Sequence, residues 1–130
     1  MKLPRRGLIV REPYASLIVD GKKTWEIRKS PTRVRGPIGI ISRGRLIGEV
    51  ELVDVLGPFS VTELKAHEAK HKAGDFLETY AQGRPLWAWV LKNPRRYETP
   101  LPVPPRKGRM LWVDLSEVWR AAPPTREKEG

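Results

Sequence analysis

The sequence has no cysteine, only two histidines and no long apolar run. Without cysteine the chain can form no disulfide, has no thiolate nucleophile, and lacks sulfur ligands for zinc or an iron–sulfur cluster. No apolar stretch approaches the ~20 residues that a membrane-spanning helix needs, and the run Leu8–Val10 is too short for a secretory signal. These absences predict a cytoplasmic protein that binds no membrane, no metal and no cofactor.

Positive charge is abundant instead. The 130 residues include 25 Lys and Arg against 15 Asp and Glu, which gives a formal net charge of +10. A chain of this length is expected to form one domain, and such a charge on one domain creates a field that attracts polyanions. Arginine suits bidentate contacts with phosphate. We therefore expect a monomer that binds nucleic acid or another phosphorylated ligand, although a basic surface can also serve solubility alone.

The most informative stretch lies between Pro13 and Arg28. Pro13 suits the first turn of a helix, apolar residues follow at positions i, i+3 and i+4, and Gly21 stands where that helix would need a left-handed residue to end. Trp25 and Ile27 then alternate with polar residues, which predicts a strand whose apolar face is turned inward. The polar face of this strand would carry Thr24, Glu26 and Arg28, with Lys23 at its mouth.

Further patterns predict the remaining elements. Ser60 and Glu63 form a capping box, so a helix should begin at Val61 and run to about Lys72. Asn93-Pro94 should force a turn, and the proline-rich segment 100–105 should be extended without pairing as a central strand. Short strands with interspersed helices are typical of an α+β protein, here a small β-barrel with flanking helices. The other predicted elements are strands at 7–10, 36–42, 46–56, 86–92 and 110–115 and a helix at 75–82.

The spacing Gly-x-Lys-x-x-Glu-x-Arg, formed by Gly21, Lys23, Glu26 and Arg28, resembles the signature of the ASCH (activating signal cointegrator homology) domain. Several further blocks are similar in the same order, which makes the resemblance more specific than one motif. It implies a PUA-like fold over residues 7–119, between a basic lead-in at 1–6 and a disordered tail at 120–130. The further blocks are "LIVREPYASLIVDGKKTWEIR" at 8–28, Arg35-Gly36, "GEVELVDV" at 48–55, Lys92-Asn93-Pro94 and "LWVDL" at 111–115.

The resemblance implies a nucleic-acid-binding module, because ASCH domains are thought to bind RNA or other nucleic acid in a cleft beside the motif, in roles such as transcription coactivation and RNA processing. Glu26 could accept a hydrogen bond from an exocyclic amine of a base while Arg28 steadies it, and Tyr14 could stack on the base. Surrounding cations would hold phosphates. RNA is the expected partner and DNA the alternative. The predicted binding residues are Tyr14, Lys23, Glu26, Arg28, Arg35, Ser42, Arg43, Arg45, Asn93 and Arg95.

A second function implied by the resemblance is hydrolysis. Relatives of the ASCH type include an amidohydrolase that deacylates an acetylated cytidine, and a ribonuclease activity is also reported among them. In such an enzyme Lys23 would be the nucleophile or proton carrier, with Thr24 or Glu26 beside it. A lysine can act in this way only if burial or neighbouring cations lower its pKa. The amidohydrolase branch has Thr where this chain has Glu26, so its mechanism does not transfer directly.

Residues 67–71 read His-Glu-Ala-Lys-His, which matches the H-E-x-x-H string of zinc metalloproteases. Such a site needs two histidines one helical turn apart and a third ligand in a dry, shaped environment. Here lysines at 65, 70 and 72 surround the string, and no other histidine exists to complete the set. We interpret this segment as a solvated face of a helix.

Two carboxylate pairings have a structural interpretation beside the functional one. Glu26 and Arg28 could simply form an internal ion pair that pins the strand to the helix. Glu49 and Glu51 share one face of a predicted strand, where they could do acid–base chemistry, but alternation on an exposed face is the commoner cause.

Overall fold

The computed structural model describes residues 3–105, 108 and 111–122. A six-stranded mixed sheet forms its centre, in the order β2-β5-β4-β3-β1-β6, and only the β1–β3 pair is parallel. The strands are β1 (Arg6–Ile9), β2 (Trp25–Arg28), β3 (Gly36–Ser42), β4 (Arg45–Phe59), β5 (Leu86–Pro102) and β6 (Trp112–Asp114). The helices are α1 (Tyr14–Val19), α2 (Val61–Lys65), α3 (Glu68–His71), α4 (Phe76–Ala81) and α5 (Ser116–Ala121).

The α+β class is therefore confirmed, but the expected barrel closure is not found. Within the described ranges β2 and β6 are the two edges of the sheet, and no pairing joins them. The β4–β5 register shifts at four places, and such bulges let a long strand pair bend and twist.

The prediction of a turn at Asn93-Pro94 is wrong, because β5 continues through it to Pro102. Lys92 pairs with Glu51 and Arg95 with Glu49, so the two residues between them oppose one residue of β4 as a bulge. Beyond Leu91, whose N–H still donates to Thr24 O at 2.8 Å, the strand pairs on one side only among the described residues, since β2 pairs with residues 87–90. This one-sided pairing explains how the strand tolerates its later prolines.

The helical region differs from the prediction in one respect. The capping box is present, with Glu63 N donating to Ser60 Oγ and Ser60 N donating to Glu63 Oε1. The chain then leaves helical geometry at His67, whose φ is −118° and ψ 26°, so one predicted helix is two short ones, α2 and α3. Helix α4 lies inside the predicted range 75–82.

Regular structure extends to both ends of the described chain. Arg6 belongs to β1, and the carbonyl of the buried Pro4 accepts a hydrogen bond from Trp119 Nε1 at 2.7 Å. Helix α5 includes Arg120 and Ala121. Residues 123–130 lie outside the described residues, as does the predicted strand start at Met110. No helix of the described part is long and apolar enough to cross a membrane.

The buried side chains form three clusters. In the first, α1 packs on β3, β4 and β5 around the fully buried Trp89. In the second, helices α2 to α4 pack on β2 through Leu64 and Leu77 against Trp25 and Ile27. The third lies under α5. Tyr14 packs against both the first and the second cluster, so the motif lies at their junction.

Candidate functional site

A cavity of about 270 Å³ opens where α1, β2 and α4 meet. Its wall is largely apolar and aromatic, with a few charged groups, which is the composition of a typical small-ligand site. Four of the predicted site residues line it together. The complete lining is Ile9, Val10, Arg11, Tyr14, Lys23, Glu26, Ile27, Arg28, Ala73, Phe76, Leu77 and Tyr80.

Lys23 is the most buried cation of the site, with 2% of its surface exposed. Its Nζ donates to the backbone carbonyl of His71 at 2.5 Å and lies 3.6 Å from Glu26 Oε1. The ammonium also lies 5.1 Å from the centroid of the Tyr14 ring. Burial lowers the pKa of Lys23, and the Glu26 carboxylate opposes this effect. The ammonium is thus held in place by the His71 carbonyl, Glu26 and the Tyr14 ring, while burial lowers its pKa and so favours the neutral amine.

Glu26 links this lysine to the rim of the cavity. The carboxylate is 6% exposed, and its Oε2 accepts a hydrogen bond from Arg28 Nε at 2.7 Å. Arg28 Nη2 donates to the carbonyl of Ile9 at 3.0 Å, and the guanidinium lies 5.9 Å from the Trp89 ring centroid. The internal ion pair that the sequence suggested is therefore present, but it lies within β2 and does not pin the strand to the helix; the hydrogen bond from Arg28 to Ile9 O is what links β2 to β1. Because both side chains also line the cavity, the structural role does not exclude a functional one.

The aromatic wall comes from α1 and α4. The ring centroids of Tyr14 and Phe76 are 5.8 Å apart, and Tyr80 stacks on Phe76 at 5.4 Å. Cations cover this wall: Arg11 lies 5.4 Å from the Phe76 ring and Lys29 4.8 Å from the Tyr80 ring. Burial raises the pKa of both tyrosines, so each phenol remains protonated at neutral pH and can donate a hydrogen bond.

Three charged or aromatic residues of this lining were not predicted from the sequence, namely Arg11, Phe76 and Tyr80. Phe76 and Tyr80 are spaced i, i+4, so they lie on one face of α4, and that pattern is visible in the sequence. Nothing local indicates that this face opposes the motif, since the two segments are about fifty residues apart.

Two predicted hydroxyl residues lie outside the cavity. Ser42 is buried and donates to Glu12 Oε2 at 2.7 Å, while Ser16 donates to the same carboxylate. Burial alone would raise the pKa of Glu12, but the hydrogen bonds from Ser42 and Ser16 outweigh it, and the pKa lies below its usual range. This cluster holds the start of α1. Thr24 is exposed and does not line the cavity, although its backbone N–H donates to Lys70 O at 2.9 Å.

The predicted residues of β5 have local partners. Asn93 Nδ2 donates to Glu51 Oε1 at 2.7 Å, and Arg95 Nη2 lies 3.5 Å from Glu49 Oε1. Tyr97 also donates to Glu49, at 2.5 Å. The two glutamates thus hold the irregular β4–β5 pairing together.

The remaining predicted cations lie on the surface away from the cavity. Arg43 and Arg45 are exposed at the turn between β3 and β4. Arg35 lies in the loop that follows β2, in a separate groove that it shares with three other arginines. The first cavity therefore joins Tyr14, Lys23, Glu26 and Arg28. A second cavity of about 240 Å³ joins Lys23 to Asn93 and Thr24, and the other five predicted binding residues line neither cavity.

The H-E-x-x-H segment is not the solvated helix face that we expected. His71 is 1% exposed, its Nε2 is 2.7 Å from Leu64 O, and its Nδ1 accepts from Ala73 N at 3.0 Å. These partners define a neutral imidazole with the proton on Nε2, and burial lowers the pKa of His71. The His67 ring packs on Trp25 at 4.9 Å. Among the described residues no three His, Asp or Glu side chains are grouped to hold a metal ion.

Comparison with known proteins gives a consistent result. The family model described as the ASCH domain matches residues 8–101. A structure of an ASCH protein from Zymomonas mobilis is 17% identical, with a TM-score of 0.71 over 88% of this chain and 90% of that one. Its serine-to-alanine variant gives 16% identity and a TM-score of 0.69 over 98% and 96% of the two chains. Its tyrosine-to-phenylalanine variant gives 22% and 0.65 over 75% and 74%. No curated protein matches the chain.

Proposed function

This chain belongs to the ASCH domain family, whose fold is PUA-like, and on that premise we propose that it binds RNA by seating one unpaired base in the cavity. The observation that carries the proposal is the placement of Lys23 and Glu26 in an aromatic cavity of about 270 Å³. Sequence-specific RNA recognition usually takes an unstacked base, packs it on aromatic rings and hydrogen-bonds its edge. This cavity has both kinds of group.

The charged groups would read the edge of the base. Glu26 accepts hydrogen bonds only, so it suits an exocyclic amine, whereas Lys23 and the phenols of Tyr14 and Tyr80 can donate to carbonyl oxygens. Burial increases the contribution of each of these hydrogen bonds to specificity, because a mismatched base would leave a buried polar group without a hydrogen-bond partner. The net charge of +10 would add a sequence-independent attraction for the phosphates.

A direct test compares Glu26→Gln with the wild type, because this change removes the charge and keeps the side-chain shape. Binding of single-stranded RNA would be measured by fluorescence anisotropy, with DNA of the same sequence as competitor. We expect an affinity loss of about 10-fold or more, typical of a lost hydrogen bond to a charged group. Glu78→Gln on α4 is the matched control, since that carboxylate is exposed, pairs with the exposed Lys65 and does not line the cavity. Equal affinity in both variants would overturn the proposal.

The burial of Lys23 in the same cavity favours hydrolysis of an acylated nucleoside as a second candidate. Because burial lowers the pKa of Lys23, its neutral amine could take a proton from the water that attacks the acyl group; the acyl group would then leave as the carboxylic acid and the amine of the nucleoside would be restored. Thr24 does not line this cavity, but it lines the second cavity together with Lys23. Incubation with acylated nucleosides and detection of the deacylated product by mass spectrometry tests this function. Product that disappears in Lys23→Met, which keeps the buried stem, would support it, and no product from the wild type would refute it.

A further inference from the structure

A second basic surface lies outside the cavity, and we call it the arginine groove. Its open volume is about 460 Å³, and four of its seven lining residues are arginines, all of them exposed. Among the residues that the structure describes, no acidic side chain lines it. The complete lining is Leu3, Arg5, Arg6, Arg33, Val34, Arg35 and Pro37.

The described arginines fall into two groups by their pairing, and the four groove arginines belong with Arg11, Arg43, Arg45, Arg84 and Arg120 to the group without an ion pair; what distinguishes them is that they lie together in one groove. Arg28, Arg95 and Arg96 each lie within 4.0 Å of a carboxylate. Within the described residues none of the groove arginines has such a carboxylate neighbour. Like charges on one surface repel one another and destabilise the folded chain, so stability does not explain why four arginines lie together. Binding of an anionic ligand would explain it.

Two of the guanidinium groups are held in position. Arg35 Nη1 donates to the carbonyls of Thr32 and Val34, each at 2.9 Å. Arg6 lies 5.9 Å from the ring of Trp112, which in turn stacks on the buried Trp89 at 5.9 Å. A guanidinium that packs through its face keeps its N–H edge for a bidentate contact, and fixing it in advance reduces the entropy lost on binding.

The groove and the cavity are joined by two segments of chain. Strand β1 runs from Arg6 in the groove to Ile9 in the cavity wall, which is about 10 Å at roughly 3.3 Å per residue. Strand β2 ends at Arg28 in the cavity wall, and the loop after it carries Arg33 and Arg35. A short single strand of nucleic acid can therefore reach both surfaces at once.

We propose that the arginine groove binds the phosphodiester backbone of the RNA strand whose base enters the cavity. That the strand is RNA rests on the function proposed above, whereas binding in the groove requires only that the ligand carries phosphates. The groove takes no part in reading the base, because arginines contacting phosphate oxygens position a strand without carrying sequence information. The cavity and the groove would thus divide recognition between base and backbone.

The test uses the double variant Arg5→Gln/Arg33→Gln and the control Arg84→Gln/Arg120→Gln. Both lower the net charge by two, and the control residues are exposed and line neither surface. The ligands are a single-stranded RNA of about 12 nucleotides, within the usual site size of small domains, and an abasic strand of equal length. The plot of log affinity against log salt concentration has a negative slope. We expect the magnitude of this slope to decrease by about 1.4 in the groove variant with both ligands, because two phosphate contacts of about 0.7 each are lost. The control should keep the wild-type slope.

Each other outcome has a defined meaning. An equal decrease in the magnitude of the slope in both variants would assign the attraction to the overall charge of the protein and overturn the proposed role of the groove. An unchanged slope in the groove variant would overturn that role as well. A third outcome separates the two proposals: the abasic strand binds as tightly as RNA, Glu26→Gln has no effect, and the groove variant still shows a weaker salt dependence. This outcome would support phosphate binding in the groove and contradict recognition of a base in the cavity. No binding of either strand by the wild type overturns both proposals.

Discussion

The buried ammonium of Lys23 donates a hydrogen bond to the backbone carbonyl of His71, 48 positions further along the chain. His71 in turn bonds through its ring to Leu64 O and Ala73 N. One histidine therefore connects α2, the start of the segment before α4, and the motif lysine. The second histidine of H-E-x-x-H therefore holds Lys23 in position through its backbone carbonyl. The H-E-x-x-H string itself does not suggest this structural role.

The first prediction concerns this histidine. His71→Ala should lower the free energy of unfolding by about 2–4 kcal/mol, because it creates a buried cavity and leaves Leu64 O and Ala73 N without their partner. Urea denaturation followed by tryptophan fluorescence measures the change. Lys65→Ala is the control, since its ion pair with Glu78 is exposed and should contribute less than about 1 kcal/mol. A loss in His71→Ala no larger than in the control would contradict the assignment.

The second prediction is a pH dependence of stability. The pKa of His71 is lowered in the folded state, so just below its ordinary value of 6.5 the unfolded chain binds a proton that the folded chain does not. Stability should therefore fall as the pH drops from about 6.5 towards the folded pKa, and His71 should contribute no such loss above that window. Urea midpoints between about pH 7.5 and 5 measure the slope.

His71→Gln should flatten this slope, whereas His67→Gln should keep it. The lowered pKa values of Glu12 and Asp20 affect a separate window below their ordinary 4.5 and 3.8, so they do not interfere. A slope that survives in His71→Gln would assign the pH dependence to another group.

The third prediction concerns the ionisation of Lys23. Its pKa should lie below the ordinary 10.5, because burial disfavours the ammonium, and Glu26→Gln should lower it further by removing the carboxylate that opposes this effect. NMR titration of isotope-labelled lysine side chains measures both values. A rise of the pKa in Glu26→Gln would show that the 3.6 Å pair is not formed in solution.

The fourth prediction concerns how α1 is seated. A Cβ on Gly48 would lie 2.4 Å from the backbone oxygen of Arg95 and 2.8 Å from Val19 Cγ1, so both β5 and α1 would have to move. Gly48→Ala should therefore destabilise the fold by about 3 kcal/mol. Gly83→Ala has open space around its Cβ and only a positive φ of 80°, so it should cost about 1 kcal/mol. Thermal denaturation compares the two, and equal losses would contradict the close approach.

The core of the candidate site could be predicted from the sequence because it is local. Lys23, Glu26 and Arg28 occupy one short strand and its approach, and strand alternation alone puts Glu26 and Arg28 on one side. Tyr14 follows from the helix that precedes them. The capping box at Ser60 is local in the same way, since a side chain three residues away satisfies it.

Other placements depend on contacts between distant segments. Arg35 lies in the arginine groove and not in the cavity, and Ser42 donates to Glu12. The bulge at Asn93 depends on which residues of β4 oppose it, and the composition of β5 does not contain that register.

By itself the sequence determined the short elements, the charge of the surface and the polar triad of the motif, because each depends on neighbours within a few residues. Only the tertiary structure decided that α4 supplies the aromatic wall, that His71 is buried behind Lys23, and that four arginines from two separate segments share one groove. These features depend on which distant segments pack together to bury apolar surface, and packing is a property of the whole chain rather than of any one segment.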